Sequence, residues 1–175
     1  QTVYAQPVGS AAAPTAGLHF TDALLKKLSV KHPIDYVCLH VGLGTFKPIQ
    51  AEDIRQHEMH SEYIEVTAGQ AQSFNDWKFE GKKICAVGTT SLRTLESCYQ
   101  HGKFESNAGE TDIFFYPGNP PQAVDMLITN FHTPQSSLLV LIASIIGMDA
   151  WQKVYKEAVD NEYRLFSFGD GMLIK

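Results

Sequence analysis

Short apolar runs along the chain alternate with longer segments in which apolar residues recur every three or four positions. The short runs are typical of buried strands and cover residues 34–41, 63–66, 83–87, 113–116, 124–129 and 172–174. The longer segments predict helices over residues 23–28, 68–77, 92–99, 137–146 and 150–162. Because strands alternate with helices, the pattern predicts an α/β fold, either barrel-like (a TIM-barrel variant) or a largely parallel sheet with flanking helices.

Polar residues stand where several of these helices should begin. Thr21 and Ser136 are predicted N-caps of the first and fourth helices. Thr89 or Thr90 could cap the helix that follows residues 83–87. In α/β folds the loops that lead from a strand into a helix carry the ligands, so these turns are candidate sites.

The size and composition indicate one globular region, residues 1–175, with 44% hydrophobic and 19% charged residues. A net charge of −5 argues against a surface dedicated to nucleic acid, although a local basic patch could still bind RNA. Three widely spaced cysteines without a Cys-x-x-Cys pair indicate reduced thiols, and Cys38 and Cys85 are predicted to be buried. The longest apolar stretch, residues 138–148, is too short to span a bilayer. We expect a cytoplasmic protein without a membrane partner.

Three histidines share one local setting: an apolar run, the imidazole, and then Gly, Thr or Pro within two residues. They are His19, His40 and His132. Side chains at the ends of apolar runs face clefts, where imidazole can act as an acid, a base or a hydrogen-bond donor. Any one of them could instead be a core histidine with its hydrogen bonds satisfied. Asn130, two residues before His132, adds an amide side chain that can form directed hydrogen bonds beside this histidine.

A glycine turn with three hydroxyls leads into the predicted third helix. It comprises Gly88, Thr89, Thr90 and Ser91, and Arg93 follows in the first turn of the helix. Backbone N–H groups at a helix N-terminus favour an anion, and Arg93 could clamp a carboxylate with two hydrogen bonds. The alternative is a simple helix cap with Arg93 paired to Glu96 at the surface.

Residues 57–62 contain two histidines and two glutamates but do not have the His-Glu-x-x-His spacing of a zinc protease. No distant third ligand is marked in the sequence, so we expect no metal site. Hydrogen bonds from His60 and Glu62 to a polar substrate fit the segment better.

Other turns carry candidate binding residues. Gly42 and Gly44 would let the backbone approach a ligand closely, or they shape a turn only. Asp170, between two glycines, could bind a ribose hydroxyl or act as a base, or it belongs to an ordinary turn. Tyr116 ends an aromatic run that could stack on a base or lie in the core.

The order of these motifs resembles the S-adenosylmethionine:tRNA ribosyltransferase-isomerase family of queuosine biosynthesis. The resemblance rests on residues 13–20, 39–46, 57–62, 86–96, 113–118, 128–132 and 163–174, which spread over the whole chain. Four places depart from the family pattern: Leu165, Thr133, Gly171 and residues 119–121. The resemblance also implies that this chain is the C-terminal half of a family member. An inserted β-barrel domain and the first part of a barrel-like domain would then be missing.

The resemblance implies that the ribosyl part of S-adenosylmethionine is transferred to, and isomerised on, an aminomethyl-deazaguanine at the wobble position of tRNA. The product would be epoxyqueuosine-tRNA, with adenine and methionine released. The sulfonium acidifies the adjacent ribose carbon, adenine leaves with a proton, and the acceptor amine must be neutral. The co-substrate supplies the leaving group, so no metal or other cofactor is implied. We expect a monomer.

The resemblance also implies roles for the candidate residues. His132 or His40 would be the base, and His19 or His60 would protonate adenine. Arg93 and the hydroxyl turn would hold the methionine carboxylate. Asp170 and Glu62 would bind ribose hydroxyls or the methionine ammonium.

Two other classes of protein remain as alternatives. A binding module would hold an adenosyl ligand without chemistry, so each histidine would be dispensable for ligand release. A Rossmann-type methyltransferase would need a Gly-x-Gly-x-x-Gly turn in its first βαβ unit, and the chain has none. Seven lysines are candidate tRNA phosphate contacts or ordinary solvated side chains: Lys26, Lys27, Lys31, Lys82, Lys83, Lys153 and Lys156.

Overall fold

The helix Thr89–Ser97 contacts strands of two small sheets and lies at the centre of the fold. The structure is a computed structural model, and it describes residues 1–6, 8–42, 44 and 48–175. Its strands are β1 (Cys38–His40), β2 (Glu62–Val66), β3 (Cys85–Val87), β4 (Tyr99–Gln100), β5 (Lys103–Phe104), β6 (Asn107–Thr111), β7 (Met126–Asn130) and β8 (Gly171–Ile174). The α-helices are α1 (Asp22–Ser29), α2 (Ala68–Phe79), α3 (Thr89–Ser97), α4 (Ser137–Ile146) and α5 (Met148–Asp160). Short 3₁₀ helices cover Thr15–His19, Ile54–Gln56 and Phe166–Phe168.

The first sheet is antiparallel, with the order β1-β2-β6. The second sheet has the order β3-β7-β8, in which β3 and β7 run parallel and β8 runs antiparallel to β7. Strands β4 and β5 form a separate hairpin. The described residues therefore form a mixed α/β fold with one parallel strand pair and no closed barrel. The predicted α/β class is confirmed, whereas the described residues confirm neither a barrel nor a largely parallel sheet.

Helix boundaries follow local chemistry at three positions. The side chains of Thr21 and Ser136 accept the N–H groups of Leu24 and Leu139, as predicted for N-caps. Thr67 caps α2 in a reciprocal capping box with Gln70. The predicted hydroxyl cap of α3 is wrong, because its N-cap is Gly88 and no side chain caps the helix.

The core lies between α3, α4 and the two sheets. Ile64, Leu92, Leu127 and Ile142 are at most 1% exposed. Along β2 the alternate residues Glu62, Ile64 and Val66 are buried, which is the period-two pattern of a strand with one covered face. Each fully buried aliphatic side chain stabilises the fold by about 1.5–3 kcal/mol.

Two predicted strands differ from the structure. Of residues 34–41, only Cys38–His40 pair, with Tyr63 to Glu65 of β2 as their partners. Residues 113–116 are not a strand; the chain turns there, and the Asn119 N–H donates to the Tyr116 carbonyl at 2.7 Å.

The paired segment in that region is β6, whose polar sequence gave no apolar signal. The β4–β5 hairpin was also not predicted, and His101 and Gly102 at its turn both have positive φ. The prediction that Cys85 is buried is wrong: its side chain is exposed, and Cys38 is half-buried.

Helices α4 and α5 meet at Gly147 with a bend of 118°. Within the described residues, no single helix has the length and apolar character needed to cross a membrane, and only this bent pair meets that criterion together.

Candidate active site

The carboxyl ends of β3 and β7 meet at one edge of the second sheet because the two strands are parallel. The Gly88 N–H donates to the Ile128 carbonyl at 2.8 Å, which holds the turn before α3 against β7. Asn130 pairs with Gly171 at the start of β8. The structure thus brings the predicted turn at Gly88, the Asn130–His132 segment and Asp170 to one place, which we call the β3–β7 edge.

His19 reaches this edge from the 3₁₀ helix Thr15–His19. A Cβ atom on Gly171 would lie 3.1 Å from both the His19 Nε2 and the Thr129 carbonyl oxygen. A Cβ on Gly88 would lie 3.9 Å from the Ala16 Cβ. The absence of a side chain at Gly171 therefore allows His19 to approach the sheet closely, whereas the spacing between Gly88 and Ala16 is an ordinary contact distance.

The amide of Asn130 has a fixed orientation. Its Nδ2 donates to the Phe166 carbonyl at 2.8 Å and to the Asp170 carbonyl at 3.4 Å. The reversed amide would point an oxygen at both carbonyl oxygens, so the hydrogen-bond partners assign the two atoms. Oδ1 is buried and has no partner among the described residues, and Asn130 is only 3% exposed. A buried acceptor without a partner is costly, and a donor on a ligand would satisfy it.

His132 follows directly beyond β7 and is held at two points. Its Nε2 lies 3.0 Å from the Thr129 Oγ1, and its backbone N–H donates to the Tyr155 hydroxyl at 3.3 Å. Desolvation lowers the pKa of His132 to about 4. The imidazole is therefore neutral at pH 7 and has a lone pair that can accept a proton.

Asp170 lies beside His19 and closes a loop on Arg164. Its Oδ2 accepts the backbone N–H of Arg164 at 2.6 Å, and its carboxylate lies 3.4 Å from the Arg164 Nε. These backbone and side-chain hydrogen bonds lower the pKa of Asp170, and His19 adds a smaller electrostatic contribution. Asp170 is therefore an anion at neutral pH, close enough to His19 for their charges to interact.

A second group, the Glu62–Arg93 cluster, connects β2 with α3. It comprises Gly42, Gly44, His60, Glu62 and Arg93. Glu62 accepts the Gly42 N–H at 3.0 Å through Oε1, and its Oε2 accepts from the Arg93 Nη1. The His60 Nε2 lies 3.6 Å from Oε1, and a Cβ on Gly44 would collide with the His60 ring. Residues 43 and 45–47 of this motif lie outside the described part of the chain.

The predicted alternative of a surface pair between Arg93 and Glu96 is wrong. Arg93 is 3% exposed and bonds to Glu62. Glu96 is buried, and its carboxylate accepts the backbone N–H groups of Gln122, Ala123 and Val124, each at 2.9 Å. Glu96 therefore anchors the chain before β7.

The three hydroxyl residues of the glycine turn differ in their contacts and burial. The Ser91 hydroxyl donates to the carbonyl of Val87, the last residue of β3, at 2.9 Å. Thr89 is buried, and Thr90 is half-buried with its Oγ1 3.3 Å from the Cβ position of Gly88. Among the described residues no side chain caps α3, so a ligand could accept hydrogen bonds from its first backbone N–H groups.

Two predicted site residues lie apart from this arrangement. His40 belongs to the first sheet, where its ring stacks on Tyr63 at 5.7 Å and packs against Gly9. Tyr116 lies in the turn with Asn119, 5.8 Å from the Phe114 ring. The shared local setting of the three histidines therefore did not predict a shared location.

Three further residues support the site and were not predicted: Thr129 and Tyr155 hold His132, and Phe166 orients Asn130. Thr129 is 1% exposed and precedes Asn130 in β7, so a buried polar residue in an apolar strand was the available signal. Tyr155 and Phe166 are distant in sequence and gave no local signal. Across the described ranges, no group of three or more His, Cys, Asp or Glu side chains is placed to hold a metal ion.

Comparison with known proteins places these features in a family. Residues 1–174 match the family model described as "Queuosine biosynthesis protein". The S-adenosylmethionine:tRNA ribosyltransferase-isomerase of Clostridioides difficile (strain 630) is 52% identical over 177 residues, which cover 100% of this chain and 52% of that protein. The protein of the same name from Staphylococcus haemolyticus (strain JCSC1435) is 54% identical over 176 residues, with 99% and 52% covered.

A solved structure agrees with the fold. The S-adenosylmethionine tRNA ribosyltransferase of Thermotoga maritima superposes with a TM-score of 0.74 at 40% identity, covering 92% of this chain and 51% of that one. The chain thus spans about half the length of the curated relatives it matches. With the matched family model covering nearly every residue, the chain belongs to the queuosine biosynthesis protein family.

Proposed function

We propose that this chain supplies the part of an S-adenosylmethionine:tRNA ribosyltransferase-isomerase that acts on the ribose and adenine of S-adenosylmethionine. The observation that carries the proposal is the convergence of His19, Asn130, His132 and Asp170 on the β3–β7 edge. A neutral imidazole, an exposed imidazole beside a carboxylate and an unpaired amide oxygen are the groups that the reaction needs. The names of the relatives state both substrates.

The proposed reaction moves the ribosyl group onto the exocyclic amine of an aminomethyl-deazaguanine in tRNA. The products are epoxyqueuosine-tRNA, adenine and methionine. A base takes a proton from the ribose carbon beside the sulfonium, an acid gives a proton to the departing adenine, and the attacking amine loses a proton. No metal or redox cofactor enters this scheme, because the sulfonium already makes methionine a leaving group.

His132 is the proposed base in preference to His40. If its Nε2–H donates to the Thr129 Oγ1, the lone pair lies on Nδ1 and can take the ribose proton. The lowered pKa keeps this lone pair free at neutral pH, although it also makes the imidazole a weaker base. His40 packs on the first sheet instead.

His19 is the proposed acid in preference to His60. It lies beside Asp170, whereas His60 contacts Glu62 instead. The Asn130 Oδ1 would accept a hydrogen bond from the adenine amino group or a ribose hydroxyl. Both groups are donors, as a buried unpaired acceptor requires.

The methionine end of the co-substrate is assigned to α3, through its uncapped N-terminus and Arg93. Glu62 has a supporting role, because both of its oxygens accept protein donors. This differs from the sequence-based expectation that Glu62 binds the substrate directly.

Backbone contacts to tRNA are assigned to surface lysines. Lys82 and Lys156 already pair with Glu80 and Asp160 on the surface. Such exposed pairs are weak and would exchange readily for phosphates. Binding should weaken as salt rises, and each lysine contact removed should flatten that dependence by about one unit of the log–log slope.

Adenine release from S-adenosylmethionine in the presence of substrate tRNA tests the proposal in the intact protein. His132→Ala should reduce the rate by about 10²–10⁴-fold, the usual contribution of a general base. His32→Ala, which changes an exposed histidine after α1, is the matched control and should keep the wild-type rate. Near-normal release by His132→Ala would contradict the role of His132 as the base. A large loss in His40→Ala instead would assign that role to His40.

The same assay separates the alternatives. A binding module would bind S-adenosylmethionine without forming adenine. A methyltransferase would release S-adenosylhomocysteine instead.

A further inference from the structure

Phe166 combines an exposed aromatic side chain with a strained backbone. Its φ of +60° lies in the left-handed region, and the residue is 37% exposed. Three other non-glycine residues of the described chain also have positive φ: His101, Gln135 and Glu162. All three are polar and lie in turns, where such backbone angles are more common. Phe166 is the one apolar residue among the four, and it begins a 3₁₀ helix.

Packing in the core does not compensate for this strain. A bulky side chain in the left-handed region costs on the order of 1–3 kcal/mol. Among the described residues, Phe166 belongs neither to the hydrophobic core nor to the side chains packed against it. Residues strained in this way cluster at active sites and ligand-binding sites. The exposed ring is therefore a candidate ligand contact.

Hydrogen bonds hold the backbone of Phe166 on both sides. Its N–H donates to the Phe131 carbonyl at 3.0 Å, and its carbonyl accepts the Asn130 Nδ2 at 2.8 Å. Asp170 closes the surrounding loop, because its Oδ2 accepts the Arg164 N–H at 2.6 Å and its own N–H donates to the Arg164 carbonyl at 3.1 Å. The backbone that carries the ring is therefore fixed before a ligand binds, which lowers the entropy cost of binding.

Phe166 lies close to the segment that carries the proposed acid. The 3₁₀ helix Phe166–Phe168 contacts the 3₁₀ helix Thr15–His19, in which His19 is the last residue. An aromatic ring offers a stacking surface to a flat nitrogen base, and an imidazole can give a proton to a nitrogen of that base. The two segments together therefore suit a nucleobase.

Two bases take part in the proposed reaction: the adenine of S-adenosylmethionine and the deazaguanine of tRNA. Adenine is the base that must receive a proton as it leaves. Because the helix that carries Phe166 contacts the helix that carries His19, the contacts favour adenine over the tRNA base.

We propose that the ring of Phe166 stacks on the adenine of S-adenosylmethionine and holds this base within reach of His19. The inference rests on the proposed function and makes it specific, because it names the side chain that recognises the leaving group.

The test compares the binding of two thioethers to the intact protein by calorimetry. S-adenosylhomocysteine carries adenine, and S-ribosylhomocysteine carries a hydroxyl group in its place. Phe166→Asn removes the ring and introduces a residue that tolerates positive φ. It should weaken the binding of S-adenosylhomocysteine by roughly 5- to 150-fold, the usual value for one base–aromatic stack. The affinity for S-ribosylhomocysteine should not change.

Phe166→Trp keeps a flat ring and provides a spectroscopic signal. This variant should still bind S-adenosylhomocysteine, and the fluorescence of the new indole should fall when that ligand binds but not when S-ribosylhomocysteine binds. The wild-type protein supplies the background from Trp77 and Trp151.

Phe79→Asn is the matched control, because Phe79 is 94% exposed at the end of α2. It should keep the wild-type affinity for both ligands. If Phe166→Asn does not fold, Phe166→Leu takes its place, since leucine keeps an apolar side chain without a flat face.

Each outcome decides between the hypotheses. Equal losses for the two ligands would mean that Phe166 shapes the site without contacting adenine, and they overturn the inference. Unchanged affinities also overturn it, and a raised KM for tRNA in the same variant would assign the ring to the tRNA base. In both cases the proposed function stands. A wild-type protein that binds neither ligand and releases no adenine from S-adenosylmethionine contradicts the proposed function itself.

Discussion

The Nδ2 of Asn130 donates to the carbonyl oxygen of Phe166 at 2.8 Å and so directs the amide oxygen to the opposite side. One side chain therefore holds the loop before β8 and presents an unpaired acceptor at the β3–β7 edge. A change that moves the loop before β8 should therefore also change the direction in which the Asn130 Oδ1 points.

Asn130→Asp should therefore destabilise the fold. The new carboxylate would face the carbonyl oxygens of Phe166 and Asp170, and a buried polar group that loses its partner costs about 1–3 kcal/mol, or more when charged. Urea denaturation measures the change. Asn161→Asp, whose amide donates to Glu157 at the exposed C-terminus of α5, is the matched control and should cost no more than about 1 kcal/mol. Equal effects at the two positions would mean that the Asn130 contacts contribute nothing.

His132 should make the fold sensitive to mild acid. Its folded pKa of about 4 lies below the value of about 6.5 for an unfolded chain, so the unfolded state binds the proton more readily. The free energy of unfolding is therefore highest above pH 6.5. It decreases as the pH falls towards 4, by a total on the order of 3 kcal/mol.

Denaturation of wild-type and His132→Gln protein at several pH values between 4 and 7 checks this. The variant should lose the pH-dependent part in that window, whereas His32→Gln, at an exposed site, should retain it. If the free energy of unfolding changes equally with pH in all three proteins, a group other than His132 titrates in this range.

Gly171→Ala should displace His19. The new methyl group would lie 3.1 Å from both the Thr129 carbonyl oxygen and the His19 Nε2, and only the exposed histidine ring can move away. We expect a loss of about 1 kcal/mol in stability and slower adenine release. Gly69→Ala, in α2 with open space around its Cβ position, should be neutral or stabilising. Unchanged adenine release in Gly171→Ala would argue against His19 as the acid.

Glu96→Gln should weaken the fold without changing ligand binding. A glutamine has one oxygen in place of two, so its NH₂ group would face at least one of the backbone donors at residues 122–124. The expected loss is about 1–3 kcal/mol in urea denaturation, with an unchanged affinity for S-adenosylmethionine. Glu80→Gln, which affects only a surface pair with Lys82, should cost less than about 1 kcal/mol. A large loss of affinity in Glu96→Gln would assign Glu96 to the site.

The sequence predicted the features that depend on neighbouring residues. Thr21 and Ser136 cap their helices because a cap needs only the next three residues. The turns at Gly88 and Asn130 lie at one edge because each follows a strand, as the pattern indicated.

The sequence pattern did not predict the direction of strand β8 or contacts between residues that are far apart in the sequence. A period of two is the same for parallel and antiparallel strands, so the antiparallel β8 was not predicted. His40 shares its local setting with His19 and His132 but lies in the first sheet, because long-range packing and not the local motif decides its place. The Glu62 partner of Arg93 lies 31 positions away, and the nearer Glu96 was the wrong choice.

The attachment of the 3₁₀ helix Thr15–His19 has a consequence for how the protein loses activity. Its backbone hydrogen bonds are local, from Gly17 to Pro14 and from Phe20 to Gly17, and no side chain caps its start. Side-chain packing holds it in place, near Gly171 of the sheet and against Thr2 and Tyr4 at Gly17. Such a segment can detach at a lower free energy than the core needs to unfold. On gentle warming, inactivation should therefore precede melting, and cooling should restore turnover without any refolding of the two sheets.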